Sequence, residues 1–212
     1  MITFITVKGN SVRCPNKNKV LLPYTLDQIH SLLDDIVVIT DDLELKNISE
    51  SFNVRVHLEE KNKQVCELKS IYDYIQNIDP SITEFILLQV TQPIRNENLI
   101  LNLLNEELGD FDFITSYTKV SNRSIFLLNE DNSFKFDSYE RKGSLCEEVK
   151  MIDGCIYKIK TSFLNQVINS GEINHTFWNK SKIKFIENES DIFLDVDTPK
   201  DLKLFKKLTN FS

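Results

Sequence analysis

Short apolar runs alternate with stretches whose apolar positions recur at helical spacing. Ile2 to Val7, Asp35 to Thr40, Val54 to Leu58 and Glu84 to Val90 read as strands. The second has Ile-Val-Val-Ile at its centre, the mark of a strand buried on both faces. Between them, Tyr24 to Leu33 places Leu26, Ile29, Leu32 and Leu33 on one helical face. A second helix follows Asp41, its expected N-cap, and runs to Phe52. A third spans Leu68 to Ile78, and a fourth runs from about Asn96 to Leu108. Strands and helices in alternation predict an α/β fold: a Rossmann-like, mostly parallel sheet with helices on both faces.

After the strand Phe111 to Tyr117 the pattern changes. Ser124 to Leu128 and Ser133 to Tyr139 flank Asn129-Glu130-Asp131-Asn132, a turn signal, and read as a β-hairpin. Ile125, Leu127, Phe134 and Phe136 alternate with polar residues, and a lone hairpin needs a cover for such a face. Cys155 to Lys160 and Lys182 to Ile186 return to strand, with a helix over Ser162 to Ile168 between them. Phe193 to Val196 leads into Thr198-Pro199, a strong helix start, and the last helix runs to about Leu208. We expect one domain over residues 1–212, with 120–150 as an insertion.

The 212 residues carry a net charge of -7. That acidity argues against a nucleic-acid partner, and a local basic loop within it suggests a focused anion site. No apolar run approaches the roughly 20 residues that cross a bilayer, so no membrane partner is expected. The chain enters a strand at once, without a signal-peptide pattern. Cys14, Cys66, Cys146 and Cys155 form no C-x-x-C pair. Reduced thiols in a cytoplasmic protein are the expectation.

The chemistry gathers at three places. The first strand ends in Lys8-Gly9-Asn10-Ser11-Val12-Arg13-Cys14-Pro15-Asn16-Lys17-Asn18. Gly9 and Asn10 tolerate positive φ, and Lys8, Arg13 and Lys17 follow one another closely. A loop leaving the first parallel strand is where α/β folds bind phosphate, although a basic surface loop would look the same. The second place is Gln89-Val90-Thr91-Gln92-Pro93-Ile94-Arg95, at the end of the fourth strand. If that strand neighbours the first, both ends open on one crevice at the switch point of the sheet. An ordinary connection capped by Thr91 is the alternative. The third is Asp195-Val196-Asp197-Thr198-Pro199. In a strand the two carboxylates would point the same way and could hold Mg²⁺. Otherwise Asp197 helps cap the last helix and Asp195 is solvated.

Taken together, KGNSVRCPNKN resembles the N-terminal signature of the acylneuraminate cytidylyltransferases, the CMP-sialic acid synthetases, approximately R-x-x-S-x-R-x-P-x-K-N. Ser11, Arg13, Pro15, Lys17 and Asn18 match; Lys8 replaces Arg. LLQVTQPIR is similar to that family's LLQPTSPLR, with Val90 and Gln92 departing. DVDTPKDL resembles its D-I-D-T-P-E-D-L. Asp153-Gly154-Cys155-Ile156-Tyr157 is similar to N-G-A-I-Y, with Asp153 in place of Asn. Arg141-Lys142-Gly143-Ser144-Leu145 faintly resembles R-R-Q-D-L.

The resemblance implies transfer of CMP from CTP to an acidic nine-carbon 2-keto sugar, releasing pyrophosphate. Lys8, Arg13 and Lys17 would neutralise the triphosphate. Gly9, Asn10, Ser11, Asn18 and Thr91 would bind nucleotide. Gln89, Arg95, Arg141 and Lys142 would bind the sugar, and Asp195 and Asp197 would hold Mg²⁺. The insertion would pair two chains as a homodimer. The family's Arg-Pro after the third strand is absent, and Ser70 is the nearest hydroxyl that could stand in the cytosine pocket. Phe177 and Trp178 read as core. Two rivals stay open: the same fold with a keto-deoxy-octulosonate or non-sugar acid as acceptor, and a non-catalytic nucleotide-binding protein.

Overall fold

The computed structural model describes residues 1–60, 66–122, 147–190 and 192–210. The hairpin expected over 124–139, with Arg141 and Lys142, lies outside them. Among the described residues the chain runs β1 (Thr3–Val7), α1 (Lys17–Ile29), β2 (Ile36–Thr40), α2 (Leu43–Ser51), β3 (Arg55–Leu58), α3 (Glu67–Asn77), β4 (Glu84–Leu88), α4 (Glu97–Asn105) and β5 (Phe113–Asn122). It continues with β6 (Glu147–Lys160), α5 (Thr161–Ser170), α6 (Ile173–Asn179), β7 (Ile183–Glu187) and α7 (Pro199–Thr209). The strands form a seven-stranded sheet in the order β3-β2-β1-β4-β6-β5-β7. β6 is antiparallel to both its neighbours, and every other pairing is parallel. This is the expected α/β architecture. β1 pairs with β2 on one side and β4 on the other, so the switch point lies between β1 and β4.

Alternation along the central strands sorts the core into two layers. Ile5, Val38 and Ile86 face α1, α4 and α7, through residues such as Leu22, Leu103 and Phe205. Phe4, Val37 and Phe85 face α3 and α5, through Ile71, Tyr74 and Phe163. No described helix is long and apolar enough to cross a membrane.

Several boundaries differ from the sequence expectation. α1 starts at Lys17 and carries Pro23 inside it. An interior proline costs about 3 kcal/mol. Leu21, Leu22, Leu26 and Ile29 are all fully buried, and each buried Leu or Ile offsets about 2 kcal/mol. The cap of α2 is Asp42, whose side chain accepts from the N–H groups of Glu44 and Leu45. Asp41 instead accepts from the N–H of Gly9 at 2.8 Å. β5 and β6 outrun the expected strands, because cross-strand pairing carries them through polar residues.

Their ladder breaks between Thr115 and Tyr117, opposite Gly154, which has φ +68°. The break turns Asp153 inward. It is buried, and its carboxylate accepts from Ser116 Oγ, Thr118 Oγ1, the Cys155 N–H and Asn188 Nδ2. Its charge also favours the charged form of the buried Arg95 guanidinium. Asp153→Ala should leave those donors unpaired and Arg95 uncompensated, destabilising the fold by about 3 kcal/mol. Urea unfolding checks this, and an unmoved midpoint would show that the cluster carries no such weight.

Candidate functional site

The loop between β1 and α1 is pinned from both sides. Asn16, left-handed at φ 63°, turns the chain into α1. Ser11 Oγ accepts from the Cys14 N–H at 3.4 Å. Asn18 Nδ2 donates to Lys8 O at 2.8 Å, tying the helix start back to the strand end. Gly9 fits because it lacks a side chain: a Cβ there would lie 2.5 Å from Asp42 Oδ2.

Lys17 is the first residue of α1 and is buried. An ammonium at a helix N-terminus opposes the helix dipole. It is offset by Val196 O at 2.7 Å and Asp197 Oδ1 at 3.0 Å. Arg13 reaches the other oxygen of Asp197 at 2.8 Å. The segment carrying the two aspartates is not a strand. It is held by one hydrogen bond to the β4 end, Val196 N–H to Thr91 O at 2.8 Å. Both carboxylates still open on the same space. Burial, and then the charge of Asp197, push the Asp195 carboxyl above its ordinary value.

That space is a cavity of about 620 Å³ over the carboxyl ends of β1 and β4. Lys8, Arg13 and Lys17 line it, as do Asn10, Ser11 and Asn18. Gln89, Thr91, Asp195 and Asp197 complete the expected set that it gathers. Two expected residues stand back from it. Gly9 gives its N–H to Asp41. Arg95 is buried behind the β4 end, where Nη2 donates to Gln89 O at 2.7 Å and Gln92 O at 2.6 Å. In this position Arg95 clamps the turn that carries Gln89, Thr91 and Gln92. Ser70 is also buried away from the cavity and donates to Glu59 at 3.0 Å.

Further residues join the lining, among them Glu67, Leu87, Tyr157, Phe177 and Trp178. Phe177 is core, stacked on Phe113 at 4.6 Å. Trp178 is 38% exposed and meets Phe177 and Tyr157 edge-on. The two form part of α6, a seven-residue helix with too few turns to show a period. Glu67 sits in the first turn of α3, where an acidic residue is ordinary. No local signal marked it. Cys155 is inert, its thiol pushed up to about 12, chiefly by burial.

The whole fold is shared with solved nucleotide-using enzymes. A CMP:2-keto-3-deoxy-manno-octonic acid synthetase complexed with CTP superposes with a TM-score of 0.70 at 16% identity, over 99% of this chain and 98% of that one. A 4-diphosphocytidyl-2C-methyl-D-erythritol synthase from Anaerococcus prevotii gives 0.65 at 16% identity, over 98% and 97%. A cytidylyltransferase from Leptospira borgpetersenii serovar Hardjo-bovis gives 0.65 at 15% identity, over 100% and 87%. The chain has their fold. No protein-family model and no curated protein matches it.

Gly9→Ala should force Asp42 aside and weaken the α2 cap, costing about 1 kcal/mol. The melting temperature should fall by roughly 3 °C. An unchanged melt would mean that the loop absorbs the methyl group without moving the cap.

Proposed function

We propose that the chain is a cytidylyltransferase that moves CMP from CTP to an acidic 2-keto sugar and releases pyrophosphate. One observation carries the proposal. Three cations and two carboxylates, drawn from opposite ends of the chain, converge on one cavity at the switch point of a fold that solved cytidylyltransferases share. In this reading the anomeric hydroxyl of the acceptor attacks the α-phosphorus, and the bond to the departing pyrophosphate breaks. Arg13 and Lys17 neutralise the triphosphate and the charge that grows on the leaving group. Asn10, Ser11 and Asn18 orient the nucleotide.

The donor set fits Mg²⁺. Asp195 and Asp197 offer hard oxygen donors of the kind Mg²⁺ takes, and a divalent cation would displace Lys17 and Arg13 from the Asp197 oxygens they hold. Among the described residues no group of three or more His, Cys, Asp or Glu forms a metal site. Asp195 and Asp197 are the residues that would hold the ion. When bound, the ion supplies charge neutralisation at phosphate.

The acceptor end of the reading rests on the sequence resemblance and on charge. With Arg95 withdrawn into its clamp, Lys8 is the described lining cation left for an acceptor carboxylate once Arg13 and Lys17 serve the triphosphate. Gln89 offers an amide beside it, and the resemblance adds Arg141 and Lys142. A nine-carbon acid of the sialic, legionaminic or pseudaminic type is our first choice, and an eight-carbon keto-deoxy acid the second. A homodimer belongs to the same reading: Ile152 and Phe185 are exposed on β6 and β7, apolar surface that a second copy would cover.

Pyrophosphate release should be seen with CTP and an acidic 2-keto sugar, and should be weak with UTP or with hexose 1-phosphates. Preference for a hexose 1-phosphate with UTP would sink both the base and the acceptor assignments. Lys17→Ala should lower kcat/KM by about two orders of magnitude, the worth of a positioned charge at roughly 3 kcal/mol. A loss under about threefold, in a variant whose circular dichroism is intact, would reduce the loop to a basic surface.

A further inference from the structure

Glu67 is a carboxylate in a cavity built for anions. It lines the space at the first turn of α3, and its Oε2 accepts from Gln89 Nε2 at 2.7 Å. Among the described residues it has no ion-pair partner. Burial pushes its pKa up, while the Gln89 hydrogen bond and the more distant Lys8 and Lys17 work against that rise. Neither phosphate nor an acceptor carboxylate can lie against such a group without like-charge repulsion. A glutamine would hold the Gln89 amide equally well, without the cost of desolvating a charge. The charge therefore needs another reason.

The surroundings supply one. With one Nε2 hydrogen given to Glu67, Gln89 keeps its oxygen and a second N–H. The Glu67 carboxylate, by contrast, offers acceptors only. Leu87, Tyr157 and Trp178 wall the same cavity with apolar and aromatic surface. Adjacent acceptors beside an aromatic wall suit the hydroxyl- or amine-bearing part of a sugar. They do not suit its carboxylate.

We propose that Glu67 is a specificity-determining residue for the acceptor: its carboxylate takes a hydrogen bond from a hydroxyl or ammonium group of the sugar and keeps a second anionic group out of that part of the cavity. This rests on the cytidylyltransferase reading. The acceptor then lies with its acid group toward Lys8 and its donor-bearing end against Glu67 and Gln89.

The test compares wild type with Glu67→Gln, whose carbonyl can still accept from Gln89. Acceptor KM and kcat are measured by pyrophosphate release at saturating CTP, with N-acetylneuraminate and keto-deoxy-octulosonate as acceptors. CTP affinity is measured separately by calorimetry. A hydrogen bond to a charged group carries about tenfold or more in affinity. Acceptor KM should therefore rise by about that factor, with CTP affinity held within about twofold. If E67Q melts early, Glu67→Asp, which keeps the charge and shortens its reach, gives the same comparison. An unchanged acceptor KM overturns the inference. So does a loss that falls on CTP binding, which would turn Glu67 toward the nucleotide. Wild-type protein that releases no pyrophosphate with these two acids or with legionaminic and pseudaminic acids overturns the cytidylyltransferase reading and this inference with it. Wild-type turnover with an unaltered variant overturns the inference alone.

Discussion

The contact between Lys17 and Asp197 joins the first loop of the chain to its last connection. The ammonium is buried at the start of a helix, where the backbone dipole already disfavours it. Such a charge is tolerable only with a carboxylate and a carbonyl at hand. Both come from the segment leading to α7, whose Thr198–Asp201 capping box and Pro199 fix where that segment ends. The pair therefore holds two distant parts of the sequence against the same edge of the sheet. Arg13 takes the second oxygen of Asp197 from the exposed side. The cavity between β1 and β4 exists because this connection closes it.

The other wall depends on a second buried charge. Arg95 draws the carbonyls of Gln89 and Gln92 onto one guanidinium nitrogen, so the turn after β4 has a fixed shape. The Asp153 cluster stands behind it at the break in the β5–β6 ladder. Burial holds the Arg95 pKa below its ordinary value, and the nearby carboxylate helps keep the group charged. The cavity thus has a cationic loop on one side and a rigid polar turn on the other, with aromatic surface from β6 and α6. In the proposed reading the first side takes the phosphates and the second the sugar.

At 15–16% identity, the whole-length superposition shows that the chain shares its fold with the solved cytidylyltransferases. The hydrophobic alternation that sorts Phe4 from Ile5 and Val37 from Val38 between two layers accepts many apolar substitutions. The cavity does not have that freedom. Lys17, Gly9 and Asp197 are tied to specific partners at hydrogen-bond distance.

Sequence by itself determined the strand–helix alternation, the buried central strands, the start of α7 and the basic loop after β1, since each rests on neighbours in the chain. It also held the residue types from which the cavity is made. Tertiary structure alone decided where several of them went. Arg95 read as a free cation because nothing local reveals that two carbonyls will turn back onto it. Asp41 read as the cap of α2, but Gly9 claims its carboxylate and Asp42 caps instead. Asp195 and Asp197 read as strand residues by alternation, yet their segment is held by one backbone hydrogen bond to Thr91 and by contacts with Lys17 and Arg13. Glu67 looked like any acidic residue at a helix start. Its place in the cavity follows from the parallel crossover that sets α3 beside the end of β4, and long-range packing of that kind leaves no period or motif in the sequence.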